Sequence, residues 1–189
     1  MTIAGVDEAG RGPIVGPMVI AAVSGDEKAA EKLRELGVRD SKILTSKKRE
    51  ELIPFIVGLV KFVVFVVPPR VIDLNVKKSG GNLNDLEAFL MGEAISCLRP
   101  DQAIVDALGS EKKFADKVFL YSGINVTARH DADSSCVLVS AASVIAKVTR
   151  DRLVRCLPRA GSGYASDPYT KRFIDRVGKN PSFIRKTWG

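Results

Sequence analysis

Four acidic residues sit where a sheet protein can gather them. Asp7 and Glu8 follow the short apolar run Ile3–Val6, Asp106 ends the run Ala103–Val105, and Asp133 precedes the long apolar stretch that begins near Val139. Carboxylates at strand and helix ends can converge on one edge of a sheet. Such a cluster repels itself unless cations neutralise it. Mg²⁺ suits it, being a hard ion held by a few carboxylates together with substrate phosphate. Taken singly, each acid has a plainer reading as a solvated turn or a helix cap. The adjacent pair Asp7-Glu8 resists that reading, because it lies between a buried strand and a glycine-rich loop.

That loop is Gly10-Arg11-Gly12-Pro13-Ile14-Val15-Gly16. It partly resembles a dinucleotide-binding fingerprint, but the third glycine comes one residue late. Met18 onward reads as strand where that motif needs a helix, so the dinucleotide reading is rejected. Two glycines around an arginine instead let bare backbone approach a sugar-phosphate chain, and Arg11 adds a fork for phosphate. His130 is the single histidine, and as such a candidate general base. Cys97, Cys136 and Cys156 are odd in number and form no CxxC-type pair, which speaks against zinc or disulfides and for a reduced, cytoplasmic setting.

The elements that must position these residues follow from patterning. Ile3–Val6 and Met18–Val23 read as strands, and their short connection favours an antiparallel pair. Glu27–Leu36 reads as a charged helix, and Ser46 as the cap of the next. Lys61–Val67, rich in Val and Phe, reads as a buried strand. Asn84–Leu98 carries apolar residues at helical spacing; Ala103–Val105 and Ile124–Ala128 read as strands. Val139–Leu157 reads as a long helix with Val144, Ile145 and Val148 as its core stripe. Gly161-Ser162-Gly163 breaks the chain, and Asp167-Pro168 caps a last helix. Antiparallel strands followed by alternating helix and strand imply an α/β fold, a mixed sheet with helices packed on it.

The chain has 189 residues, enough for one domain with a small C-terminal addition. With 29 Lys and Arg against 22 Asp and Glu, the net charge is +7, which suits a polyanionic partner. The apolar run Val57–Val67 is broken by Lys61 and is shorter than the ~20 residues a bilayer span needs. No secretory signal opens the chain, and no membrane association is expected.

Taken together, the motif blocks resemble the type 2 ribonucleases H. The blocks are Asp7-Glu8-Ala9-Gly10-Arg11-Gly12-Pro13, Asp40-Ser41-Lys42, Asn84-Asp85-Leu86-Glu87, Val105-Asp106-Ala107-Leu108, Asp133 with the run from Ser140 to Asp151, and Gly161–Pro168. They stand in family order along nearly the whole chain. The resemblance implies a ribonuclease H-like, mixed five-stranded sheet flanked by helices. It divides the chain into a catalytic domain at 1–158 and a C-terminal helical segment at 159–189 that completes the substrate site. It also implies a catalytic and metal-binding set of Asp7, Glu8, Asp106 and Asp133. Asp133 is preferred to Asp131 because it lies seven residues before Ser140. Two Mg²⁺ or Mn²⁺ ions would be held, with Asp7 bridging them. Gly10, Arg11, Gly12 and Tyr164 would read the ribose at an RNA–DNA junction, and Lys42 would meet the substrate backbone.

The implied substrates are RNA–DNA hybrids and DNA duplexes with single ribonucleotides, cut to leave 5′-phosphate and 3′-hydroxyl ends in DNA replication and repair. A nuclease of the same fold acting on DNA junctions is the alternative, since fold alone does not set substrate. Ala165 stands where many members have proline. No sliding-clamp motif is read near Trp188-Gly189, and a monomer is expected.

Overall fold

The computed structural model describes residues 1–39, 41–77, 82–157, 159–178 and 180–188. Asp40, part of one motif block, lies outside them. Among the described residues, five strands form one sheet: β1 (Ile3–Ala9), β2 (Met18–Gly25), β3 (Lys61–Val67), β4 (Gln102–Asp106) and β5 (Val126–Arg129). Their order is β3-β2-β1-β4-β5. β1 pairs antiparallel with β2 and β2 with β3, while β4 runs parallel to both β1 and β5. The expected mixed five-stranded sheet is therefore present.

Helices cover both faces. On one lie α1 (Glu27–Glu35), α2 (Ser46–Leu59) and the long α7 (Val137–Arg155); their apolar side chains meet Val19, Ala21 and Val23. On the other lie α3 (Pro69–Lys77), α4 (Leu83–Leu98) and α5 (Glu111–Ser122), packed on Ala4, Val6, Met18, Ile20 and Ala22. With both faces covered, β2 reads as a continuous apolar run without polar alternation. The short α6 (Ala132–Ser135) precedes α7, and α8 (Pro168–Val177) starts as expected, with the Asp167 side chain accepting from the Tyr169 amide. A third cluster joins α8 and the final segment to Ile14 and Val15.

Three readings are corrected. β1 does not stop at Val6. Pairing continues through Asp7↔Ala21, Glu8↔Ile20 and Ala9↔Val19, so both acids lie inside a strand. β3 is not buried; it is the edge strand and mostly half-exposed. An apolar run does not by itself separate an edge from a centre. The cap of α2 is Thr45, whose side chain accepts from the Lys48 amide, one residue before Ser46.

Close packing at Gly5 bears directly on the acids. A Cβ placed on Gly5 would stand 2.2 Å from the Leu138 carbonyl carbon, so α7 lies backbone-to-backbone against β1. Alternation then aims Asp7 to the α7 side and Glu8 to the α4 side. Among the described residues, no helix is long and apolar enough to cross a membrane.

Candidate active site

β1 and β4 are parallel neighbours in register Val6↔Val105, so Asp7 and Asp106 leave the same end of the sheet. Asp131 adopts the left-handed conformation (φ 50°) and turns the chain from β5 into α6, which carries Asp133. Two bonds fix that turn: the Ala132 amide donates to Asp106 Oδ1 at 2.8 Å, and Ser140 Oγ donates to the Asp133 carbonyl at 2.6 Å. The spacing from Asp133 to Ser140 thus corresponds to a physical contact between α6 and α7. All nine residues singled out in the sequence line one cleft of about 410 Å³: Asp7, Glu8, Gly10, Arg11, Gly12, Lys42, Asp106, Asp133 and Tyr164. His130 does not line it; its amide donates to Glu111.

The acids are crowded and poorly solvated. Asp7 is 5 % exposed and Asp133 2 %. Burial, then the charge of Glu8, holds the Asp7 carboxyl well above the usual range, against the opposing hydrogen bond with Ser143. Burial and the charges of Glu87 and Asp106 push Glu8 up to about 7. Asp106 is raised as well, mainly by burial. Glu8 Oε2 is buried with no hydrogen-bond partner. Lys42 supplies part of the missing positive charge, with Nζ 3.4 Å from Asp131 and 3.5 Å from Asp133.

This donor set fits a hard divalent cation: several carboxylates, an orphaned oxygen and an electrostatic deficit. Among the described residues no three acids close into a ready-made cage.

The glycine loop faces the acids. Gly10 has φ +84°, and a Cβ there would lie 2.7 Å from the Pro17 carbonyl, so the position needs glycine. A Cβ on Gly12 would come 3.4 Å from the Tyr164 ring. Loop and phenol therefore oppose each other across a narrow gap. Arg150, itself buried, donates to the Ser162 carbonyl at 2.7 Å and places its guanidinium 5.8 Å from the Tyr164 ring centre.

Arg11 is turned inward: it pairs with buried Glu87 and donates to Asn84 Oδ1 at 2.6 Å. Its fork is engaged by α4, which gives the Asn84–Glu87 block a structural task that patterning did not suggest. Arg49 donates to the carbonyls of Ser41 and Leu44, at 2.8 and 2.6 Å, and so holds the turn that presents Lys42. Ser41, Arg49, Ser143 and Lys147 also line the cleft. Ser143 and Lys147 lie in the motif run from Ser140, whereas nothing around Arg49 signalled its place.

Comparison with known proteins agrees with this geometry. The family model described as Ribonuclease HII matches residues 4–189. The chain belongs to the ribonuclease HII family. It is 45 % identical to the Ribonuclease HII of Thermococcus kodakarensis, over all of this chain and 87 % of that protein. The ribonuclease HII in a PCNA complex from Archaeoglobus fulgidus superposes with TM-score 0.91 at 36 % identity, covering 100 % of this chain and 96 % of that one. Bst-RNase HIII, solved with Mn²⁺, gives TM-score 0.82 at 25 % identity, covering 98 % and 66 %. The ribonuclease HII membership makes this protein a ribonuclease H, a hydrolase that cuts RNA in RNA–DNA hybrids.

Proposed function

We propose that the cleft hydrolyses phosphodiesters in the RNA strand of hybrids and at single ribonucleotides within duplex DNA, leaving 5′-phosphate and 3′-hydroxyl ends. The observation that carries this reading is that four acids and the facing Gly12–Tyr164 pair line the same cleft. Asp7, Glu8, Asp106 and Asp133 would hold the divalent ions, with Mg²⁺ or Mn²⁺ as the natural choices; the Mn²⁺ complex of Bst-RNase HIII supports the latter. Bound there, such ions would lower the pKa of the attacking water and offset charge on the leaving 3′ oxygen.

The protein's own groups orient these parts. Ser143 and the Glu8 amide, at 2.7 Å from Asp7 Oδ1, hold the Asp7 carboxylate. Bare backbone at Gly10 and Gly12 can approach a 2′-hydroxyl, the group that separates ribose from deoxyribose. The Tyr164 ring would stack on the neighbouring sugar. Lys42 and Lys147 bring positive charge to the wall of the cleft, where phosphates would pass. Residues 159–189 serve in this reading as the segment that completes the site around the 1–158 domain. No clamp contact is included.

The test is cleavage of a DNA duplex carrying one ribonucleotide beside an all-DNA duplex, each with Mg²⁺, with Mn²⁺ and with EDTA. Metal-dependent cutting confined to the ribose-containing strand is expected. Equal cutting of both duplexes, or cutting in EDTA, would refute the proposal.

A further inference from the structure

A glycine loop is a poor reader unless something holds it. Gly10 and Gly12 place few conformational limits on the backbone, yet distinguishing one hydroxyl needs donors fixed to within a fraction of an ångström. The fixing group comes from the far end of the chain. Arg185 is 1 % exposed and does not line the cleft. Its guanidinium donates to the carbonyls of Gly10, of Arg11 at 2.6 Å and of Gly16 at 3.3 Å. Its amide donates to the Ile14 carbonyl at 2.9 Å, the Gly16 amide donates to Phe183, and Val15 bridges Ile184 as a short antiparallel pair. One residue therefore engages four carbonyls between Gly10 and Gly16. The Trp188 ring, 5.2 Å from the guanidinium carbon, covers it.

We propose that Arg185 is a positioning residue for the substrate loop, setting the backbone orientation with which Gly10, Arg11 and Gly12 meet the ribose. The proposal rests on reading that loop as the ribose-binding element. Each carbonyl that Arg185 holds is kept out of the cleft, where a carbonyl oxygen would oppose a substrate phosphate. The buried cation behind the loop adds positive potential on the substrate side. Burial and neighbouring Arg150 lower the Arg185 pKa to about 10, so it keeps its charge at neutral pH. Lysine at this position would keep the charge but not the planar fork that spans three carbonyls.

The experiment compares the wild type with Arg185→Lys, Arg185→Gln and Gly12→Ala at matched folded fraction. Steady-state kinetics are measured on a single-ribonucleotide duplex and on a continuous hybrid, and Mn²⁺ binding without substrate by calorimetry. Loss of hydrogen bonds from a charged donor predicts a KM on the single-ribonucleotide duplex raised roughly tenfold or more in Arg185→Gln, with partial rescue in Arg185→Lys. Turnover at saturation should stay within about threefold, because the chemistry-bearing acids are untouched. Preference for the single ribonucleotide should fall, and Mn²⁺ affinity should not change. Arg185→Lys, which keeps the charge and the stem, carries the comparison if the glutamine variant does not fold. A uniform loss of kcat on both substrates, or no change in KM, would show Arg185 to be a folding residue alone. If Gly12→Ala shifts KM and selectivity while the Arg185 variants do not, only the Arg185 proposal falls. If Gly12→Ala is also silent, the ribose-reading loop falls with it.

Discussion

In the metal-free protein, Glu8→Gln should gain stability relative to the wild type as pH rises from about 5 to about 8. Glu8 is raised from 4.5 to about 7, first by burial and then by the charges of Glu87 and Asp106. A carboxyl raised in the folded state binds its proton more tightly there than in the unfolded chain. Its stabilising contribution is complete below pH 4.5 and is lost as pH rises through 7. At about 1.4 kcal/mol per pKa unit, the charged form at pH 8 costs about 3 kcal/mol. Glutamine never ionises and escapes that cost. For a chain of this size the difference is worth about 6–12 °C in Tm. The amide leaves its own buried groups imperfectly paired, which costs about 1–3 kcal/mol, but equally at every pH. The informative quantity is therefore the change in the mutant-minus-wild-type difference between pH 5 and pH 8, measured by calorimetry in EDTA. Some slope should survive in the variant, because burial also pushes Glu87 up to about 7 even against the Arg11 charge. A difference that stays constant from pH 5 to pH 8 would refute the electrostatic account of the site. Adding Mn²⁺ at pH 8 should raise the wild-type Tm more than that of the variant, since a bound ion stabilises only the state that binds it.

Asp7→Asn should slow single-turnover cleavage by more than roughly a hundredfold, exceeding the loss typical of an outer-shell partner, while hybrid affinity measured by fluorescence anisotropy stays close to wild type; near-normal turnover would remove Asp7 from the metal set. Asp133→Asn should be far more damaging than Asp131→Asn, because the Asp133 side chain is 2 % exposed and lines the cleft while that of Asp131 is 77 % exposed; the reverse order of rates would exchange their roles. Tyr164→Ala should lower the preference for a single ribonucleotide over a continuous hybrid by about 5- to 150-fold, the range for a lost donor to a buried polar partner; an unchanged ratio would leave Tyr164 only an anchor of its loop.

What the sequence made legible is set by the kind of interaction that each residue makes. The sheet could be read because β1 and β2 are buried on both faces and their apolar runs are continuous. Its limits could not: the apolar signal stops at Val6, but backbone pairing with β2 carries the strand on through Asp7 and Glu8 to Ala9. That extension matters for the chemistry, since it places two acids inside a covered sheet and raises their pKa values. β3 misled for a related reason. A Val- and Phe-rich run reports a strand, but its place at the edge depends on which strands pair with it.

The nine residues singled out were found because they stand in compact blocks with recognisable spacing, and one of those spacings turns out to be the hydrogen bond from Ser140 to the Asp133 carbonyl. Arg49 and Arg185 escaped notice because their hydrogen-bond partners are backbone carbonyls. A carbonyl has no residue identity, so such contacts leave no pattern of types to read. Arg11 shows the same limit from the other side. An arginine between two glycines reads as a phosphate fork, but its direction is decided by Asn84 and Glu87 on α4, some seventy positions away. The residues that carry chemistry could be read locally; those that aim them could be found only once distant parts of the chain were brought together.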